Sequence, residues 1–235
     1  SKHNLVLIQD AAHSLGGQYK GRKVGSYADI TCLSFHPVKN ITTCEGGMMV
    51  TNNEEYFKRG QSCRSHGITR DFKEREKSNS HYYDMVELGY NYRIPDLLCA
   101  LGISQMNKLD GFIQRRNEIA RKYDAFFEKH TGLIEPVTTH YDCAYHIYVV
   151  KLNLENTEHT RDEVFTKLKE AGIGVNVHYM PIYLHSYYQS LGYERGLCPE
   201  AEKVYEQIIT LPIYPLLKDE EVETVCGKIT SILVN

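Results

Sequence analysis

Two apolar runs joined by a polar bend constrain this 235-residue chain more than any other feature. Ile30 to Phe35 reads as a buried strand, and the second apolar run, Met48 to Thr51, as another strand. Ser34-Phe35-His36-Pro37-Val38-Lys39 leads out of the first run, and Asn40-Ile41-Thr42-Thr43-Cys44-Glu45-Gly46-Gly47 leads into the second. Lys39 thus falls on a turn between two strands, close to apolar surroundings. Burial disfavours an ammonium ion, lowering a lysine pKa from about 10.4 toward neutrality and making the amine nucleophilic. The same spacing also fits a lysine that points outward into water.

Upstream, Leu5-Val6-Leu7-Ile8 reads as a buried strand ending in Gln9-Asp10-Ala11-Ala12-His13-Ser14. The carboxyl end of a parallel strand is where an open α/β sheet builds its ligand crevice. Two successive strands would then deliver Asp10 and Lys39 to one site. A lysine able to form a Schiff base, with a carboxylate for a pyridinium nitrogen, is the pair that pyridoxal phosphate requires. Taken alone, Asp10 also suits a helix cap or a turn.

Asp10–Ser14, Ser34–Lys39, Glu45–Gly47 and Gly89-Tyr90-Asn91-Tyr92-Arg93 together resemble the DegT/StrS family of sugar-nucleotide aminotransferases. Phe35–Lys39 and the later Val177–Tyr183 block are similar to its pseudaminic-acid branch. The resemblance runs almost from end to end. It implies an α/β fold of the aspartate-aminotransferase type (pyridoxal-phosphate fold type I). Residues 1–111 would form the large domain, truncated at its N-terminus, and 112–235 a linking helix with a small C-terminal α+β domain. The family's opening strands and its phosphate-cradling glycine turn have no counterpart here. The expected molecule is therefore the later two-thirds of such an enzyme, poorly soluble and nearly inactive alone.

The resemblance also implies roles. Lys39 would carry pyridoxal 5'-phosphate and move the proton. Asp10 would pair with the pyridine nitrogen, and His13 would sit beside the cofactor. Ser34 would offer its hydroxyl to the cofactor phosphate, and Asn91 would reach the phosphate of a partner subunit in a homodimer with shared sites. Arg93, His178 and Tyr183 would contact a UDP-sugar. The implied reaction moves an amino group from glutamate to C4 of a 4-keto-6-deoxy UDP-N-acetyl-hexosamine. A catalytically inactive remnant that only dimerises or binds cofactor is the alternative, as is an aminotransferase for another keto-sugar nucleotide. A related dehydratase would replace the lysine with histidine, and Lys39 argues against it. His36 suits packing as well as chemistry, and Gly46-Gly47 suits a tight return strand.

Charge and composition exclude other classes. Against 27 Lys and Arg stand 30 Asp and Glu, a net charge of −3, which offers no bulk attraction to nucleic acid or to an anionic membrane. No apolar run approaches the roughly 20 residues that span a bilayer. Ser1-Lys2-His3-Asn4 leads straight into a strand, without a signal peptide. The seven cysteines, at 32, 44, 63, 99, 143, 198 and 226, form no Cys-x-x-Cys pair, and the eleven histidines form no metal-binding pattern. That pattern fits reducing cytosol and no metal.

Periodicity and capping predict helices over 52–67, from Pro95, over about 111–130, 160–171, 199–207 and 219–233. Strands are predicted over 146–152, 175–179 and 209–211, and residues 68–84 read as a charged, solvated loop.

Overall fold

The structure, a computed structural model, describes residues 3–70, 72–137 and 143–234. The predicted leader-free start at Ser1-Lys2 and Asp71 of the predicted loop lie outside the described residues. The chain divides into two compact units, Ser1–Asp110 and Gly111–Asn235.

In the first unit β1 (Ile8–Asp10) is followed by a hairpin of β2 (Gln18–Tyr19) and β3 (Arg22–Lys23). Its turn residues, Lys20 and Gly21, both take positive φ, as the tightest hairpin turns require. β4 (Ile30–Ser34) runs parallel to β1, with Asp10 opposite Cys32. β5 (Gly47–Val50) returns antiparallel, with Gly47 opposite Ser34, so β4 is the central strand.

The buried strand predicted over Leu5–Ile8 is not found as such. The strand begins only at Ile8, and Leu5 is 79 % exposed, with Val6, Leu7 and Ile8 exposed beside it. Apolar composition does not bury a strand without a layer over it and neighbours on both edges. Among the described residues β1 has β4 as its only strand neighbour.

α1 (Glu54–Arg64) starts where the sequence predicts, because the Asn53 side chain accepts the N–H groups of Glu55 (2.9 Å) and Tyr56 (3.2 Å). Glu54 and Glu55 add negative charge at the positive end of the helix dipole. It stops earlier than predicted because His66 and Gly67 take left-handed φ values. α2 (Phe72–Lys77) is one short helix inside the stretch predicted to be a loop. The ends of that stretch close on each other, Thr69 N–H bonding to Asp84 O at 2.8 Å and Val86 N–H to Gly67 O at 3.0 Å. α3 (Asp96–Met106) begins directly after Pro95.

α4 (Leu109–Phe127) belongs to the second unit except for its first two residues. After it come β6 (Ile134–Pro136), β7 (Tyr148–Leu152), α5 (Arg161–Glu170), α6 (Ser186–Ser190), α7 (Pro199–Gln207), β8 (Ile208–Leu211) and α8 (Asp219–Val234). The sheet is antiparallel in the order β6-β7-β8. Ile119, Tyr123 and Phe127, four residues apart on α4, are fully buried against Val150, Leu152, Val164, Leu168, Ile209 and Ile229. Each such side chain stabilises the unit by about 1.5–3 kcal/mol. Asp219 joins α8 to α4 by accepting from Arg115 (2.8 Å) and Lys122 (2.7 Å). A capping box of Thr160 and Glu163 starts α5.

The strand predicted over Val175–Tyr179 reduces to one bridge, Asn176 to Thr210. The Asn176 side chain takes the Val177 N–H at 2.8 Å and so diverts a group that a longer ladder would need. Among the described residues no helix is long and apolar enough to cross a membrane, and no group of three or more His, Cys, Asp or Glu is placed to hold a metal ion.

Candidate active site

Parallel pairing of β1 and β4 brings Asp10 to the strand end from which the Lys39 turn departs. Just beyond β4, Phe35 closes the base of that turn. Its N–H bonds to Gly46 O at 2.9 Å, and its carbonyl accepts from Thr43 N–H (3.0 Å) and the Thr42 hydroxyl (3.2 Å). Only glycine fits at position 46. Its φ is +151°, and a Cβ there would stand 2.5 Å from Thr43 Oγ1.

Within the turn, Lys39 N–H bonds to His36 O at 3.0 Å, and Asn40, Ile41 and Thr43 are buried behind it. Burial lowers the Lys39 pKa below the ordinary lysine value, and the Asp10 carboxylate raises it by a smaller amount. The expected pair therefore share one electrostatic environment. Asp10 also fills the bland role that the sequence allowed, accepting the Ala12 N–H at 3.0 Å in an Asx turn. His13 lies half-buried in the tight turn that follows, where Ser14 N–H bonds to Ala11 O at 3.0 Å. Ser34 ends β4, and its hydroxyl oxygen accepts the His36 N–H at 3.4 Å. The His36 ring takes the Val38 N–H at 3.5 Å, a contact internal to the turn.

Asn91 and Arg93 are exposed on an extended segment held along the end of α1. Tyr90 N–H bonds to Cys63 O (2.7 Å), His66 N–H to Tyr90 O (2.8 Å) and Tyr92 N–H to Arg64 O (2.9 Å), while Asn91 bridges to Ser65. A cleft of about 660 Å³ has both Arg93 and Glu45, the residue before the glycine pair that ends the lysine loop, on its walls, with Arg64, Phe57 and Tyr92. No hydrogen bond among the described residues joins Asn91 to Asp10, Ser34 or Lys39.

In the second unit His178 Nδ1 lies 2.8 Å from Thr210 Oγ1. The Tyr183 hydroxyl donates to Glu202 Oε1 at 2.6 Å and accepts the Cys198 N–H at 3.2 Å. Partial burial pushes the Tyr183 hydroxyl up to about 12. Glu202, only 8 % exposed, also takes the Gly196 N–H at 2.6 Å, and its pKa is held low first by the Tyr183 hydroxyl, then by Gly196 and Arg195. Thr210 and Glu202 are the two functional candidates that sequence reasoning passed over. The one available signal was a hydroxyl inside the apolar run Ile208-Ile209-Thr210-Leu211.

The chain matches known proteins in sequence and in fold along nearly its whole length. A Campylobacter jejuni protein named UDP-4-amino-4,6-dideoxy-N-acetyl-beta-L-altrosamine transaminase is 42% identical over 233 residues, covering 99% of this chain and 60% of that protein. Helicobacter pylori PseC, described as an aminotransferase involved in the biosynthesis of pseudoaminic acid, superposes with a TM-score of 0.88 at 31% identity, over 99% of this chain and 60% of its own. Streptococcus pneumoniae Spr1654, solved in a PLP form, gives 0.85 at 34% identity, over 97% of this chain and 57% of its own. The chain thus spans about 60% of the length of the curated relatives it matches. The model of the DegT/DnrJ/EryC1/StrS aminotransferase family matches residues 1–230, and the chain belongs to that family.

Proposed function

We propose that this chain forms the lysine-bearing part of a pyridoxal-phosphate-dependent aminotransferase that moves an amino group from glutamate to C4 of a 4-keto-6-deoxy UDP-N-acetyl-hexosamine. The observation that carries the reading is Lys39: a lysine whose ammonium form is disfavoured by burial, held within the field of a strand-end carboxylate. The residues fit the cofactor, since a nucleophilic amine and an anion are the two groups it needs from a protein. When bound, the cofactor supplies an electron sink for the carbon from which a proton is removed.

The chain's own groups do the rest. Lys39 Nζ, uncharged more readily than an exposed amine, would hold the cofactor and, once released, serve as the base that moves a proton. The Asp10 carboxylate would hold the pyridine nitrogen and keep it protonated. His13 orients the ring, and the Ser34 hydroxyl donates to the phosphate. Asn91 serves the phosphate of a second subunit in a homodimer. Arg93 and His178 recognise the sugar nucleotide, with Tyr183 contributing its ring while its hydroxyl stays with Glu202. The names of relatives, a UDP-amino-sugar transaminase and a spore coat polysaccharide biosynthesis protein, support an amino-sugar enzyme feeding surface glycans.

Titration of the chain with pyridoxal phosphate, followed by visible absorption, tests the reading. A lysine-bound band that Lys39→Ala abolishes is the expected result. A folded chain that shows no such band at any cofactor concentration overturns it.

A further inference from the structure

β8 is buried along its whole length, yet one of its four residues is polar. Ile209 and Leu211 enter the hydrophobic core, so Thr210, alternating with them, faces the other way while remaining 6 % exposed. Its backbone exchanges two hydrogen bonds with Asn176: Thr210 N–H to Asn176 O at 2.7 Å and Asn176 N–H to Thr210 O at 3.1 Å. His178, two residues beyond Asn176, stands diagonally across from Thr210, within side-chain reach of it. The result is the 2.8 Å contact between Thr210 Oγ1 and His178 Nδ1.

Valine would fill this place with the same shape and branching. A buried hydroxyl costs stability unless it is hydrogen-bonded, and this one is directed at an imidazole nitrogen. A ring engaged at Nδ1 by a residue locked into a sheet has one rotation and one direction for its Nε2 edge. A threonine hydroxyl can donate to that nitrogen or accept from it, so the contact holds the ring in either neutral tautomer.

We propose that Thr210 is the positioning residue for His178, fixing the ring's rotation for sugar-nucleotide binding. The proposal rests on the reading that His178 takes part in that binding. Thr210 itself touches neither substrate nor cofactor; it acts through the imidazole.

The test compares the full chain with Thr210→Val, Thr210→Ser, His178→Ala and the Thr210→Val/His178→Ala double variant. Nitrogen-15 NMR of the imidazoles reads the hydrogen bonding of His178 Nδ1. Calorimetry reads the affinity for UDP-4-amino-4,6-dideoxy-N-acetyl-beta-L-altrosamine. Thr210→Val is expected to shift the His178 Nδ1 signal away from its wild-type position and to weaken binding about three- to tenfold, the effect of one hydrogen bond. Thr210→Ser should restore both, and Thr210→Val should cost nothing further once His178 is alanine. Unchanged nitrogen signals and affinity in Thr210→Val, with binding still lost in His178→Ala, overturn the proposal alone. An equal loss from Thr210→Val in the His178→Ala background also overturns it. Full affinity in His178→Ala overturns both the proposal and the reading beneath it. Should Thr210→Val not fold, Thr210→Ser and Thr210→Ala carry the same comparison, the serine keeping and the alanine losing the signals and the affinity.

Discussion

Burial and the Asp10 carboxylate pull the Lys39 amine in opposite directions, and burial prevails: the Lys39 pKa lies below the ordinary lysine value even with that carboxylate acting on it. Asp10→Asn removes the opposing effect while keeping the shape. The Lys39 pKa should therefore fall further, seen as a lower pH midpoint for amine-selective labelling of Lys39 by mass spectrometry. A midpoint that rises or stays put would show that Asp10 does not act on the lysine. The linkage has a definite sign. Between the depressed folded pKa and the unfolded value near 10.4 the unfolded chain binds more protons, so Lys39's contribution to stability improves as pH rises through that window.

Asp10→Ala should also separate cofactor uptake from turnover. The variant is expected to take pyridoxal phosphate onto Lys39 yet to transaminate as poorly as Lys39→Ala, because the ring nitrogen loses its partner. Near-normal single-turnover rates in Asp10→Ala would leave Asp10 with only its Asx turn to Ala12.

Gly67 and Gly89 set where Asn91 and Arg93 lie. A Cβ on Gly67, whose φ is +70°, would stand 1.9 Å from Glu87 O, and one on Gly89 would stand 2.2 Å from Gly67 N. These are backbone contacts that cannot give way. Gly67→Ala should destabilise the first unit by about 1–3 kcal/mol, the cost of a side chain in a left-handed conformation, and Gly89→Ala by about 1–3 kcal/mol through overpacking against backbone alone. Urea unfolding measures it, and a midpoint equal to wild type would mean that the segment moves aside freely.

If Asn91 serves a second subunit, mixing should reveal it. Lys39→Ala and Asn91→Ala chains, combined and allowed to exchange, are expected to regenerate a fraction of intact cofactor sites. Cofactor affinity that never recovers at any mixing ratio would place each site within one chain.

Glu202 should mark the acid limb of the second unit. Its pKa is depressed in the folded chain, chiefly by the Tyr183 hydroxyl. The stability it lends is therefore present above its unfolded value, about 4.3, and is lost as pH falls through the folded one. Tyr183→Phe removes the largest cause, so the pH dependence of stability should flatten in that range. Identical acid-unfolding curves for Tyr183→Phe and wild type would count against the assignment.

The edge at β1 carries a solubility prediction. Leu5, Val6 and Leu7 lead exposed into β1, whose first residue Ile8 is also exposed and which, among the described residues, is paired on one side only. Such an edge templates association, and charge on it opposes pairing. Val6→Lys with Ile8→Lys should lower concentration-dependent light scattering, whereas equal scattering would locate the association elsewhere.

Local chemistry made much of this chain legible from its residues. Asn53 and Thr160 announce their helices because a cap is a contact within three residues, and α7 runs over Pro199–Gln207 as its proline start predicts. The order of Asp10, Ser34 and Lys39 along two strands and a turn likewise needs only the alternation of apolar runs and breakers. Burial was different. Leu5–Ile8 are as apolar as any core strand yet exposed, because burial depends on what packs over a segment. The roles of Thr210 and Glu202 were hidden for a related reason. Thr210 meets His178 across 32 residues and Glu202 meets Tyr183 across 19. A polar side chain's partner over such a distance is chosen by how sheet and helix come together. The sequence determined where the chemistry could be carried, and the tertiary structure decided which side chains hold it in place.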